Sequence, residues 1–287
     1  IEHRKPQVVI LENVAGLLNS NHGRDFGVIL NRMTSMGYSV AWRLLNTRYF
    51  GAPQSRPRMY LCCWKENPVK AAKTLFDKEG AHRCSLERAD FITPSQKTKR
   101  TIVPKVAYCL AATSGRHTGT DWSRTYVVCD SGVRRMTPTE YERLQGFPDS
   151  WTKVSEDKYG DAQDCDTLRY TALGNAVSVP VIEWLAKKMH QQLAAKESVK
   201  STRDGVQALV PEFQRATWQD LELSMEALAD EQRSYKWPRA GIAWDGKFIG
   251  ASVPPSPHSP ISSDLGTIVQ DDVADQRYYL TPNAAEG

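Results

Sequence analysis

Residues 1–64 carry the clearest apolar patterns of the chain. Val8-Val9-Ile10-Leu11 is an unbroken, largely β-branched run, the pattern expected of a strand buried on both faces of a parallel sheet, and Glu12 follows it directly. Ligands collect just beyond the carboxyl ends of strands in open α/β sheets, so a carboxylate there is well placed for chemistry, although an acidic residue after a strand is more often a helix cap or a surface charge. From Asp25 to Met36, Phe26, Ile29, Leu30 and Met33 recur at helical spacing, and Gly37 ends the pattern. Tyr38–Leu45 alternates loosely and Met59–Trp64 is rich in β-forming residues, so both read as strands. Between them Phe50–Arg58 holds two prolines and a glycine, a stiff connector that fixes where Arg56 and Arg58 point. A strand-helix-strand-strand series of this kind predicts an α/β fold, one half of a doubly wound sheet.

Beyond residue 64 the helical periodicity fades. Residues 65–133 carry 12 Lys/Arg against 7 Asp/Glu, with Lys97, Lys99, Arg100 and Lys105 clustered, and Arg116 and Arg124 set among Gly, Ser and Thr. A helix with marked boundaries comes next. Thr137 suits the N-cap, Pro138 the first helical position, Glu140 the third position of a capping box, and Gly146 the C-terminal stop. Trp151–Thr167 is acidic and predicts a loop. Val181, Ile182, Leu185, Met189 and Leu193 form one apolar helical face, and Pro180 suits the first position of that helix. Trp218–Ala229 has the pattern of an amphipathic helix, and Pro254–Pro260 that of an extended spacer.

The net charge of +4 hides an asymmetry: residues 1–203 carry +11 and residues 204–287 carry −7. A basic body favours a polyanionic partner, nucleic acid being the usual one. No apolar run is long enough to span a membrane, and the start shows no signal-peptide pattern. The cysteines at 62, 63, 84, 109, 129 and 165 lack metal-type spacing; Cys62-Cys63 read as small buried thiols, and a reducing cytosol is the expected compartment.

Four blocks of this sequence carry a resemblance: Glu12-Asn13-Val14, Gln54-Ser55-Arg56-Pro57-Arg58, the run from Arg135 to Asp149, and Gly174–Pro180. In this order, over roughly residues 7–190, they resemble blocks of the DNA cytosine-5 methyltransferases. The resemblance implies a Rossmann-like core dependent on S-adenosyl-L-methionine, with an inserted small target-recognition domain and duplex DNA as partner. It divides the chain into residues 1–64 of catalytic core, 65–133 of recognition domain, 134–196 of support helix and return to the core, and a 197–287 acidic extension.

It also implies roles. Glu12 would meet N3 of a cytosine flipped out of the duplex, Arg58 would meet O2, and Arg56 would support the pocket or contact the phosphate backbone. Gly174, Asn175, Ala176 and Val177 would line the cofactor pocket, the glycine by admitting close backbone approach and the asparagine by offering donor and acceptor. Gln54, Lys97, Lys99, Arg100, Lys105, Arg116 and Arg124 would contact DNA. The family's Pro-Cys nucleophile and its glycine-rich cofactor loop do not occur in these 287 residues. The N-terminal half of the catalytic core is therefore expected to lie elsewhere, on the same protein or on a complementary subunit, with the protein otherwise a monomer. A non-catalytic DNA-binding relative and an RNA-methylating one are the alternatives.

Overall fold

The structure, a computed structural model, describes residues 1–76, 106–116, 125–129, 132–159, 162–195, 205–206, 219–220 and 236–251. In chain order its elements are β1 (Val8–Asn13), α1 (Arg24–Ser35), β2 (Tyr38–Asn46), β3 (Pro57–Lys65), α2 (Pro68–Phe76), β4 (Tyr126–Cys129), β5 (Gly132–Arg135), α3 (Pro138–Gln145), α4 (Glu156–Tyr159), α5 (Ala162–Asn175), α6 (Val179–Ala194), β6 (Gln219–Asp220), β7 (Ala240–Trp244) and β8 (Lys247–Ala251). They sort into two compact units. One gathers Ile1–Leu45, Pro57–Gly80 and Trp184–Val269; the other gathers Asn46–Arg56, Ala81–Glu183 and Gln270–Gly287.

A six-stranded sheet in the order β1-β3-β2-β7-β8-β6 carries the first unit. The predicted strand at Val8–Leu11 is present, but β1 is an edge strand among those described, runs antiparallel to β3 and is only half-buried. An unbroken apolar run identifies a strand without identifying its neighbours, which is why the expectation of a parallel, doubly covered position fails. β2, between β3 and β7, is an interior strand instead, with eight of its nine residues buried. Phe26, Leu30 and Met33 of α1 pack with Tyr38, Val40 and Trp42 of β2 and Met59 and Leu61 of β3 into one core.

Three further expectations fail here. Helical structure does not stop at Lys65: α2 follows with nearly all of its residues buried, because Val69, Ala71, Ala72, Leu75 and Phe76 repeat at helical spacing after a proline start. Nor is the segment after residue 197 only an extension. β7 joins β2 antiparallel (Val40↔Ala243, Trp42↔Gly241), and Trp237 enters the core edge-on to Phe26 at 5.5 Å. Gln219 and Asp220 form a strand rather than part of a helix.

In the second unit α3 has its predicted capping box, Thr137 and Glu140 each bonding the other's backbone, and a left-handed Gly146 at its C-terminus. Leu110, Met136, Tyr141 and Leu173 make the core there. Most of the stretch read as an acidic loop, Trp151–Thr167, is helical: α4 and the start of α5 lie in it. The weak amphipathicity of α5 hides it from a periodicity reading. α6 begins at Val179, so Pro180 is its second residue rather than its first. Among the described residues no helix is long and apolar enough to cross a membrane, and no group of His, Cys, Asp and Glu is placed to hold a metal ion.

Candidate active site

Glu12 and Arg58 come together by strand register. β1 and β3 pair with Glu12 opposite Tyr60 and Asn13 opposite Met59. Side chains two apart on a strand share a face, so Arg58 is the diagonal cross-strand neighbour of Glu12, within reach of a long side chain. Arg58 Nε lies 3.3 Å from Glu12 Oε1, with the arginine side chain 14% and the glutamate side chain 22% exposed. Arg58 also donates through Nη1 to the Pro57 carbonyl at 2.8 Å, which holds the guanidinium against the backbone. Glu12 Oε1 is buried and no hydrogen-bond donor among the described residues is aligned on it, so its contact with Arg58 is ionic. A buried carboxyl oxygen of that kind has capacity left for a ligand.

Arg56, two residues earlier, does something else. It is 2% exposed. Nη1 donates to the Leu110 carbonyl at 3.1 Å and to Cys109 Sγ at 3.6 Å, and Nη2 to the carbonyls of Gly174 at 3.0 Å and Ala176 at 2.8 Å. The backbone of Arg56 is set by Asn46, whose Oδ1 accepts its N–H at 2.9 Å. With its guanidinium directed at main-chain oxygens, a phosphate contact or a place on a reacting base does not fit Arg56. The resemblance offers it a supporting role as well, and that one is compatible with the geometry.

Gln54 is the second correction. It is fully buried, so it does not present its amide to DNA. Its Oε1 accepts from Leu110 N at 3.2 Å, and its Nε2 donates to Leu144 O at 3.0 Å and Gln145 Oε1 at 3.2 Å. Gln145, equally buried, donates to Leu173 O at 2.9 Å. Buried amides are retained only when their donors and acceptors are met, and this pair meets them through each other and through main chain.

The Gly174–Val177 turn closes α5. The need for glycine at 174 differs from the one expected: a Cβ there would lie 2.1 Å from Ala112 N, so the close approach is to the protein's own backbone. Asn175 is exposed, Ala176 and Val177 half-buried. Arg116 ends a 3-10 turn at Ala112–Arg116, its side chain outside the described residues. Lys97, Lys99, Arg100, Lys105 and Arg124 also lie outside the described residues.

One buried charge escaped the sequence reading. Glu142 of α3 accepts from Ser150 N, Thr152 N and Thr152 Oγ1, and pairs with Arg169 Nη2 at 3.1 Å. Burial works against its charge, yet the bonds from Thr152, Arg169 and Ser150 together hold its pKa below the ordinary carboxylate value. This node fixes the loop after α3 and carries no free group for chemistry.

The family model for C-5 cytosine-specific DNA methylases matches residues 1–107 and 91–191, two thirds of the chain. The chain belongs to that family. Its six-stranded sheet with packed helices fits the α/β class of this methylase family. Among its relatives, the type II methyltransferase M.NgoBI of Neisseria gonorrhoeae is 31% identical over 202 residues, 64% of this chain and 61% of that protein. The type II methyltransferase M.HaeII of Haemophilus aegyptius is 32% identical over 219 residues, 67% of this chain and 64% of that protein. The structure of the S. pombe Dnmt2 methyltransferase aligns over 66% of each chain at 18% identity, with a TM-score of 0.48. The chain thus spans about three fifths of the length of these methyltransferases.

Proposed function

We propose that this methylase chain supplies the base-binding pair of a DNA cytosine-5 methyltransferase. It would act on a cytosine extruded from duplex DNA, with S-adenosyl-L-methionine as methyl donor. The observation that carries the reading is the Glu12–Arg58 pair, part-buried at the end of β1 with a carboxyl oxygen to spare. C5 of cytosine is a weak nucleophile, and it reacts only if electron density pushed onto the ring is stabilised as it develops. A guanidinium is a rigid, delocalised cation, so Arg58 suits the O2 side, where negative charge builds. Glu12 suits N3, sharing the proton that the ring nitrogen holds more tightly as the ring becomes electron-rich.

S-adenosyl-L-methionine supplies an electrophilic methyl group when bound. The exposed Asn175 amide and the turn around it fit its polar amino-acid end, and Ala176 and Val177 offer half-buried apolar surface beside it. The Pro-Cys dipeptide and the glycine-rich loop of the family are not among these residues. Transfer therefore needs a polypeptide segment that carries them, on this protein or on a complementary subunit. Extruding the base costs a few kcal/mol and draws on phosphate contacts, for which the basic 65–133 stretch is the candidate.

Two measurements test this on protein assembled with that segment. A duplex containing 5-fluorocytosine should trap a covalent protein–DNA complex; failure to trap one would favour a non-catalytic DNA-binding relative. Glu12→Gln and Arg58→Ala should each slow methyl transfer at least ~10²-fold, the scale for losing one transition-state stabiliser. Near-normal turnover in either variant removes the pair from the active site.

A further inference from the structure

The last turn of any α-helix leaves carbonyls without intrahelical partners, and partial negative charge gathers there. In α5 those groups are served by side chains distant in sequence. Gln145 Nε2 donates to Leu173 O at 2.9 Å. Arg56 Nη2 donates to Gly174 O at 3.0 Å and to Ala176 O at 2.8 Å, one carbonyl inside the helix and one just past its end. The other Nη of Arg56 holds Leu110 O, and Gln54 ties Leu110 N to Gln145. Gln54, Arg56, Leu110, Gln145 and Leu173 are all buried.

We infer that Arg56, with the Gln54–Gln145 pair behind it, is a positioning residue that caps α5 and so presets the 174–177 turn for its ligand. The inference rests on the reading of that turn as part of the S-adenosyl-L-methionine site. A block that sequence likeness would send to DNA or to catalysis thus acts, through Arg56, on main-chain oxygens of another. Gly174 completes the arrangement, because the turn is pinned on its other side against the Ala112 backbone. A fork of four N–H groups in one plane is what spans Leu110, Gly174 and Ala176 together; an ammonium offers three donors around a point and lacks that reach. The sequence separation between Arg56 and its two α5-end carbonyls, 118 and 120 residues, explains why no local pattern exposes the cap.

The test uses Arg56→Lys and Arg56→Gln. Hydrogen exchange of the 287-residue chain should quicken about tenfold or more across residues 173–178 in both variants, the scale of losing hydrogen bonds to a charged donor, with exchange in α1 unchanged. In protein assembled for activity, the dissociation constant for S-adenosylhomocysteine and the KM for the methyl donor should rise by a similar factor. Duplex affinity and kcat should stay within about threefold, whereas Arg58→Ala lowers kcat. Lysine failing to rescue the charge-neutral change identifies the fork; full rescue by lysine overturns it. Unchanged exchange at 173–178, or loosened exchange with unchanged ligand affinity, also overturns the inference. If the wild-type protein takes up no S-adenosylhomocysteine but the exchange difference persists, the cofactor reading of the turn fails and the cap stands.

Discussion

Cys62 and Cys63 sit side by side in β3, and burial decides their chemistry. They are 1% and 0% exposed. Desolvation pushes the Cys62 thiol up to about 12, and burial followed by its neighbour's charge raises Cys63 as well. A thiol held neutral is neither a nucleophile nor a metal ligand, so neither of these two cysteines supplies the covalent step of the proposed reaction. Alkylation by iodoacetamide at pH 8 should leave both unmodified in the native protein and modify both once it is unfolded, as read by peptide mass mapping. Modification of Cys62 at the unfolded rate would place it at a reactive surface and reopen its role. That these are buried thiols was legible in the sequence, because they interrupt an apolar strand pattern without changing it. What separates Arg56 from Arg58 was not legible. Both lie in one short block, and only the register of β1 on β3 sends Arg58 to Glu12 while Arg56 meets carbonyls 54 to 120 residues away.

At the scale of elements, α3 was readable almost residue by residue because its signals are local. Capping box, leading proline and closing glycine all lie within ten positions, and the structure has each of them. α5 was missed for the opposite reason: its stability comes from packing on the 3-10 turn at Ala112–Arg116 and from distant caps rather than from an amphipathic stripe. The cap of α3 also carries a pH signature. Glu140 accepts two bonds from Arg134, at 2.8 and 2.9 Å, and one from Thr137 N at 2.7 Å. The Arg134 bonds first, with those from Thr137 against a burial penalty, lower its pKa from the ordinary 4.5 to about 2. A carboxyl depressed on folding stabilises above its unfolded pKa and loses that contribution as pH falls through the folded one. Wild-type protein should therefore melt above Glu140→Gln at pH 7, with the two curves converging between pH 4.5 and 2. The pair is partly solvated, which limits the gap to about 1 kcal/mol, and ~1 M salt should narrow it. Parallel melting curves down to pH 2 would mean that the cap works through its neutral hydrogen bonds alone.

The sheet-bearing unit is assembled from three separated stretches of chain, and its last contribution comes from a segment that the charge pattern marks as an acidic extension. Ala240–Trp244 and Lys247–Ala251 flank an Asp-Gly turn whose residues have φ of 52° and 66°, the conformation of a tight hairpin. That dipeptide between two apolar runs was a readable signal; its partner was not, since nothing local says that β7 will lie along β2. The consequences are large. Trp42 Nε1 donates to Pro238 O at 2.9 Å, and Trp237 Nε1 donates to Gly23 O at 2.8 Å, contacts spanning 196 and 214 residues. Trp237 also packs against Phe248 at 5.3 Å. Removing the hairpin would strip β2 of its ladder to β7 and leave a buried strand as an open edge, a template for aggregation. Replacing Trp237 alone by alanine should cost about 3–5 kcal/mol, a large share of the 5–15 kcal/mol typical of a domain. A chain ended at residue 235 should accordingly bind a hydrophobic dye, lose its cooperative melting transition and aggregate, while Trp237→Ala should remain folded with a lowered midpoint. An unchanged midpoint in the truncated chain would make the hairpin an appendage, and the core of this unit would then have to be closed by α1, β1, β2 and β3 without it.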